Sequence, residues 1–141
     1  MTSGVLLDTH TLLWTVGGGR LRPQAQDAIA QAAVDRSLWV SVVTAWEIAL
    51  LFHQERLDRF NPAGFQPRAW FENAIIVTRA QVELVDAEVA FDAWGLPEPV
   101  PKDPADRLLI ATARARDLTL VTRDRPILAY SDLGHVLAIA C

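Results

Sequence analysis

The residues of this 141-residue chain most suited to chemistry are five carboxylates that stand beside apolar stretches. One is the only acid among the first nineteen residues, and another is the only charged side chain between Ser37 and Phe52. Converging carboxylates repel one another and lose hydration, so they need a compensating cation. Oxygen ligands suit Mg²⁺ or Mn²⁺, which can activate water for phosphodiester cleavage. The five acids are Asp8, Glu47, Asp103, Asp106 and Asp124.

Each of these acids also has a purely structural interpretation. Asp103 precedes Pro104 and suits a helix N-cap, and Asp106 would favour the positive end of the same helix. Asp124 can close an Asx-type turn, and Asp8 can cap the helix that it precedes. For Glu47 this interpretation is weakest, since an unpaired carboxylate among apolar neighbours costs several kcal/mol. Only the joint placement of the acids favours a site.

Short β-like runs alternate with helical stretches, which predicts a three-layer α/β/α sandwich with a central, mainly parallel sheet. We expect one domain over residues 1–141. The predicted strands are 4–7, 38–43, 119–122 and one near 135–139, with 75–77 and 82–85 as further candidates. The predicted helices are 9–16, 23–33, 44–54, 67–73, 86–94 and 104–116. Loops are predicted around Asn61-Pro62 and Gly64 and at the prolines from 97 to 104, and a turn at 123–126.

The predicted elements place the acids close together. Ligands of a parallel sheet bind outside the carboxyl ends of its strands. Asp8 and Asp124 directly follow two predicted strands, and the other three acids belong to helices that begin nearby. We therefore expect all five at one edge of the sheet.

Composition limits the class of protein. There are 13 Lys and Arg against 17 Asp and Glu, which gives a net charge of −4. Without the five acids, 12 acidic residues face 13 basic ones, so the remaining chain is close to neutral. A single cysteine, Cys141, and no apolar stretch of ~18 residues predict a cytoplasmic chain without a membrane span. No cationic segment precedes the first apolar run, so no secretory signal is expected.

Four segments resemble the PIN-domain ribonucleases, and more narrowly the VapC toxins of bacterial toxin–antitoxin pairs. They are Leu6–Trp14, Ser41–Ile48, Asp103–Ala111 and Leu120–Asp124. The resemblance implies an endoribonuclease dependent on Mg²⁺ or Mn²⁺, usually a homodimer, that a cognate antitoxin protein silences. The resemblance implies that the four acids of the family's site correspond to Asp8, Glu47, Asp106 and Asp124. Asp103 matches an additional acid found in one subgroup of the family.

The resemblance also suggests roles for single residues. We expect Asp8, Glu47 and Asp106 to hold a first ion, and Asp124 to hold a second ion or to orient the attacking water. Asp103 is a further candidate ligand. The candidate contacts to the RNA substrate are Thr9, Arg107, Thr122 and Arg123.

Two departures and one alternative accompany these expectations. Relatives often carry histidines just before the third segment, where this chain has Pro99–Lys102, and Ala105 replaces a frequent aromatic residue. The alternative is a catalytically silent PIN fold that serves as a protein- or RNA-binding module.

The remaining aromatic and apolar residues suggest packing roles. Trp14 and Trp46 are spaced with aliphatic residues as in a helix, which predicts core or interface positions. The apolar stretch from Leu50 to Phe71 predicts a surface for dimerisation or for an antitoxin helix. His10, His53 and His135 show no ligand spacing.

Overall fold

A parallel sheet of five strands forms the centre of the computed structural model, which describes residues 4–54 and 66–141. The spatial order of the strands is third, second, first, fourth, fifth, and every neighbouring pair is parallel. The strands are β1 (Gly4–Leu7), β2 (Leu38–Ser41), β3 (Gln81–Glu83), β4 (Leu118–Thr122) and β5 (Ala138–Ala140).

Helices cover both faces of this sheet, as buried parallel strands require. Within the described residues they are α1 (Thr9–Gly17), α2 (Pro23–Val34), α3 (Val42–His53), α4 (Pro67–Thr78), α5 (Ala87–Trp94), α6 (Pro104–Arg116) and α7 (Arg125–Asp132). None of them is long and apolar enough to cross a membrane.

The sheet separates two apolar cores because successive side chains of a strand point to opposite faces. On β1, Val5 and Leu7 join the core that contains residues of α1 and α2, whereas Leu6 joins the core formed with α5, α6 and α7. Leu6 and Leu7 are both fully buried. The predicted α/β/α sandwich with a parallel sheet is confirmed.

The boundary between β2 and α3 differs from the prediction of a strand over 38–43. The strand ends at Ser41, whose hydroxyl accepts a hydrogen bond from the Val43 backbone N–H at 3.0 Å and caps α3. This local bond starts the helix at Val42, two residues before the predicted start. The β-branched residues that suggested a longer strand form the first turn of the helix instead.

The prediction of a strand at 75–77 is wrong, because α4 continues through these residues to Thr78. Ile76 is 75% exposed and Val77 is 62% exposed, so these apolar residues do not enter the sheet. The helix ends at Arg79, which adopts a left-handed conformation with φ of 61°. The other candidate, 82–85, is close to the observed β3.

The predicted turn at 123–126 is the beginning of α7, a helix that the sequence pattern did not indicate. The Asp124 carboxylate accepts a hydrogen bond from the Ile127 N–H at 3.0 Å, and Pro126 lies in the first helical turn. Proline is compatible there because the first N–H groups of a helix have no partner within it. The predicted loop around Asn61-Pro62 and Gly64 lies outside the described residues.

Candidate active site

A pocket of about 390 Å³ opens where β1 and β4 end, at the carboxyl edge of the sheet. All five acids named from the sequence line it, although they come from separate parts of the chain. Its lining residues are Asp8, Thr9, His10, Trp14, Glu47, Asp103, Asp106, Leu109, Arg123 and Asp124.

Asp8 is buried and held by hydrogen bonds on both carboxylate oxygens. Its Oδ1 accepts from the Thr11 N–H at 2.8 Å, which caps α1, and its Oδ2 accepts from the Thr122 hydroxyl. The Thr122 hydroxyl oxygen in turn accepts from the Asp124 N–H at 3.0 Å. This chain of bonds connects two acids that are 116 residues apart in sequence.

Asp103 and Asp124 also cap helices while they line the pocket. Oδ1 of Asp103 accepts from the Asp106 N–H at 3.1 Å at the start of α6, and Asp124 caps α7. Capping uses one oxygen of each carboxylate, so it does not exclude a second role for the same side chain. The structural and functional interpretations of these two aspartates are therefore compatible.

Glu47 lies on the second turn of α3, beside a hydroxyl pair. The Thr9 hydroxyl donates to Glu47 Oε1 at 2.5 Å and lies 3.1 Å from the Thr44 hydroxyl. Burial raises the pKa of Glu47; the Thr9 hydrogen bond opposes this rise, and the charges of Asp103 and Asp8 add to it.

Asp106 is the most perturbed acid of the pocket. Burial raises its pKa from 3.8 to about 7, with further contributions from the charges of Asp124, Asp103, Glu47 and Asp8. The predicted convergence therefore has its largest electrostatic effect at Asp106, whose carboxyl group holds its proton near neutral pH unless a cation offsets the charge.

The four predicted RNA contacts differ in position. Thr9 and Arg123 line the pocket, whereas Arg107 and Thr122 are not among its described lining residues. The Arg107 guanidinium lies 4.7 Å from the centre of the Trp94 ring and 3.4 Å from the Ala93 carbonyl oxygen.

Two aromatic residues that line the pocket, His10 and Trp14, were not predicted as site residues. His10 and Trp14 line the pocket, with their ring centres 5.7 Å apart. The two residues are four positions apart on α1, the helix that Asp8 caps, so they share one face of it. Trp46 is 62% exposed, which excludes the core position among the two predicted for it and leaves the interface position as a prediction.

The donor set of the pocket fits a hard divalent cation. Carboxylate oxygens are the ligands that Mg²⁺ and Mn²⁺ prefer, and the raised pKa of Asp106 indicates a local shortage of positive charge. Over residues 4–54 and 66–141, no three Asp, Glu, His or Cys side chains are grouped tightly enough to hold an ion as they stand. Water would therefore supply part of the coordination, as is usual for Mg²⁺.

The fold and the pocket define an α/β/α protein with a carboxylate-lined site at the carboxyl edge of a parallel sheet. The chain belongs to the PIN-domain family, whose model matches residues 5–133. This match confirms the resemblance to the PIN-domain family that the four sequence segments indicated.

Similar proteins are known from sequence and from structure. The chain is 31% identical over 128 residues to Ribonuclease VapC22 of Mycobacterium tuberculosis, which covers 89% of this chain and 91% of that protein. In fold it is similar to VapBC2 from Rickettsia felis bound to a DNA fragment from its promoter, with a TM-score of 0.67, 15% identity and coverage of 97% and 98%. FitAcB from Neisseria gonorrhoeae has a TM-score of 0.60 at 19% identity and 96% coverage of both chains.

Proposed function

We propose that this chain is an endoribonuclease that hydrolyses RNA phosphodiester bonds and acts as the toxin of a toxin–antitoxin pair. The observation that carries the proposal is Asp106, whose pKa is raised to about 7 among four other pocket acids. Such crowding is unfavourable without a bound cation, and a cation is what phosphodiester hydrolysis needs. The relationship to Ribonuclease VapC22 supports the choice of RNA as substrate.

The cofactor in this proposal is Mg²⁺ or Mn²⁺. When bound, it would activate water and neutralise the charge that develops on the phosphate. Asp8, Glu47 and Asp106 would hold it, directly or through water, and Asp103 would be a further ligand. Asp124 would hold a second ion or orient the attacking water by accepting a hydrogen bond from it.

The other predicted site residues act on the acids or on the RNA. Thr9 donates to Glu47 and Thr122 donates to Asp8, which supports a role for both hydroxyls in holding the carboxylates. Arg107 and Arg123 are proposed as contacts to RNA phosphates, because a guanidinium binds phosphate with two N–H groups.

The proposed partners are a cognate antitoxin and a second copy of the chain. Trp46 and Leu50 are exposed one turn apart on α3, and Ile76 and Val77 are exposed on α4, which packs against α3. Exposed apolar residues of this kind are common at protein interfaces. Similarity in fold to the Rickettsia and Neisseria complexes supports the toxin assignment. The proposal implies a single catalytic domain that works in the cytoplasm, where its RNA substrate lies.

Cleavage of a structured RNA by the purified chain tests the proposal. We expect cleavage with Mn²⁺, none with EDTA, and a loss of at least about 100-fold in Asp8→Ala. Asp27→Asn is the matched control, because Asp27 is an exposed acid on α2 that does not line the pocket. Cleavage that survives EDTA, or that is unchanged in Asp8→Ala, would remove the mechanism.

A silent PIN fold that only binds other molecules is distinguished by its response to metal. An active site should be stabilised against heat by Mn²⁺, and Asp106→Asn should lose that stabilisation. A binding module without a working site would show neither effect.

A further inference from the structure

Arg123 stands between two residues of the acid network, Thr122 and Asp124, and its side chain is anchored on three separate segments. We propose that Arg123 is a positioning residue that fixes the 122–124 turn and thereby the Asp124 carboxylate. This inference rests on the proposed nuclease function, and it gives Arg123 a positioning role in place of the phosphate contact proposed above for it.

The guanidinium of Arg123 is fixed in direction by its contacts. Its Nε–H donates to the Cys141 carbonyl oxygen at 3.0 Å, and its Nη2–H donates to the Arg20 carbonyl oxygen at 2.7 Å. Its central carbon lies 3.9 Å from the centre of the Trp14 ring, which is close enough for a cation–π contact. Two directed bonds and the contact with the Trp14 ring restrain the guanidinium more than a charged group at a protein surface is usually restrained.

Cys141 closes a ring of hydrogen bonds around the turn. Its N–H donates to the Thr122 carbonyl oxygen at 3.1 Å, while its own carbonyl oxygen accepts from Arg123. Its Sγ lies 3.3 Å from the Thr11 hydroxyl, which donates to the Val121 carbonyl oxygen at 2.9 Å. Cys141 therefore bonds both to the backbone of Thr122, the last residue of β4, and to the side chain of Arg123, the residue that follows it.

Movement of the 122–124 turn would displace the hydrogen-bond partners of two acids, Asp8 and Asp124. The Thr122 hydroxyl donates to Asp8 and accepts from the Asp124 N–H, and Asp124 also caps α7. If Arg123 lost its anchors, the backbone between Thr122 and Asp124 would lose the support of Arg20 and Trp14 and one of its two bonds to Cys141, since only the bond from the Cys141 N–H to the Thr122 carbonyl oxygen would remain. A small displacement of a reacting group costs much of the rate, about 100-fold for ~1 Å.

Positioning and phosphate contact predict different behaviour for a lysine at this position. Lysine keeps the positive charge, but it lacks the planar fork that makes the two directed bonds and the stack on Trp14. A phosphate contact would also appear in the salt dependence of RNA binding, whose slope falls by about one for each phosphate contact removed.

The experiment compares Arg123→Ala and Arg123→Lys with Arg20→Ala, measuring kcat, KM and the salt dependence of RNA binding. Arg20→Ala is the matched control, because it removes a nearby cation and keeps the carbonyl that Arg123 uses. We expect both Arg123 variants to lose about 10- to 100-fold in kcat with KM and the salt slope nearly unchanged, and Arg20→Ala to keep the wild-type kcat. Wild-type kcat in Arg123→Lys, or a raised KM with a salt slope lower by about one, would overturn the inference.

Amide hydrogen exchange provides a readout that does not depend on cleavage. In both Arg123 variants we expect faster exchange in residues 122–127 and at Cys141, with the exchange of α2 and α5 unchanged. Unchanged exchange at 122–127 would overturn the positioning role even in an active enzyme. If the wild-type chain cleaves no RNA, the proposed function fails, while faster exchange would still support the link between Arg123 and the turn.

Discussion

The pocket has two sides that meet the same electrostatic problem differently. The strand side is formed by Asp8, Thr122 and Asp124 at the carboxyl ends of β1 and β4. There the carboxylates accept hydrogen bonds from backbone N–H groups and from a threonine. On the helix side, formed by Glu47 of α3 and Asp106 of α6, burial raises the pKa of both acids. The Thr9 hydroxyl donates a hydrogen bond to Glu47. The charges of the four other acids of the pocket all raise the pKa of Asp106.

The difference teaches how a charged site can fold before its cation binds. The strand side is stabilised by N–H groups in the first turns of α1 and α7, which donate to Asp8 and Asp124, so its negative charge has local compensation. The helix side relies on a proton until a cation replaces it. The two sides should therefore respond with opposite signs when their acids are removed.

The largest expected effect is on cleavage, and the sharpest contrast is in stability. Asp8→Ala and Asp106→Asn should each lower kcat at least about 100-fold. Without metal at pH 8, Asp8→Ala should destabilise the fold by about 2 kcal/mol, because it removes a helix cap and leaves Thr122 without its acceptor. Asp106→Asn should instead stabilise it. Urea denaturation in EDTA measures the free energy of unfolding of both variants. Destabilisation by Asp106→Asn at pH 8 would contradict the predicted difference between the two sides of the pocket.

Metal binding should stabilise the helix side most. At a concentration 100 times its Kd, Mn²⁺ should add about 2.7 kcal/mol to the free energy of unfolding at pH 8. At pH 5 the effect should shrink, since Asp106 is then protonated and must lose its proton to bind. Thermal melts with and without Mn²⁺ at the two pH values test this, with Asp27→Asn as control. Equal stabilisation at both pH values would contradict it.

The metal-free protein should lose stability as pH rises from about 4 to about 7. In this window folded Asp106 keeps a proton that the unfolded chain, with a pKa of 3.8, has released. The loss should total about 1–2 kcal/mol after solvent screening of this partly buried group is allowed for, and level off above about pH 8. Glu47 contributes with the same sign. Urea denaturation between pH 4 and 8 should show a flatter profile in Asp106→Asn; an identical profile would show that another group is responsible.

The smallest effects should come from the two threonines that donate to the acids. Thr122→Val should cost about 1–2 kcal/mol, since it removes the donor to buried Asp8 and the acceptor of the Asp124 N–H. Thr9→Val should raise the pKa of Glu47 further, because the hydrogen bond from Thr9 now lowers it. Thr15→Val is the control, as its hydroxyl donates only to a carbonyl of its own helix. Denaturation and NMR titration measure these changes, and a loss in Thr122→Val no larger than in Thr15→Val would argue against the network.

Much of the scaffold could be predicted because its signals are local. Pro104 with Asp103 before it marked the start of α6, and the glycines after Val16 marked the end of α1. The same cues failed at 75–77, where three β-branched residues continue a helix with two of them, Ile76 and Val77, on its exposed side, and at Asp124, where an apparent turn begins α7. Exposure and helix length depend on what packs nearby, which a short pattern does not contain.

The sequence by itself determined the alternation of strands and helices, the family, and the acids that follow strands and open helices, because these depend on short-range hydrogen bonding and on residue type. Only the tertiary structure decided that Asp106 keeps a proton near neutral pH, that Thr122 donates to Asp8, and that Arg123 lies on Trp14 and donates to Cys141. Those facts depend on distances between residues far apart in the chain and on their removal from water, and both arise only when the sheet and its helices pack together.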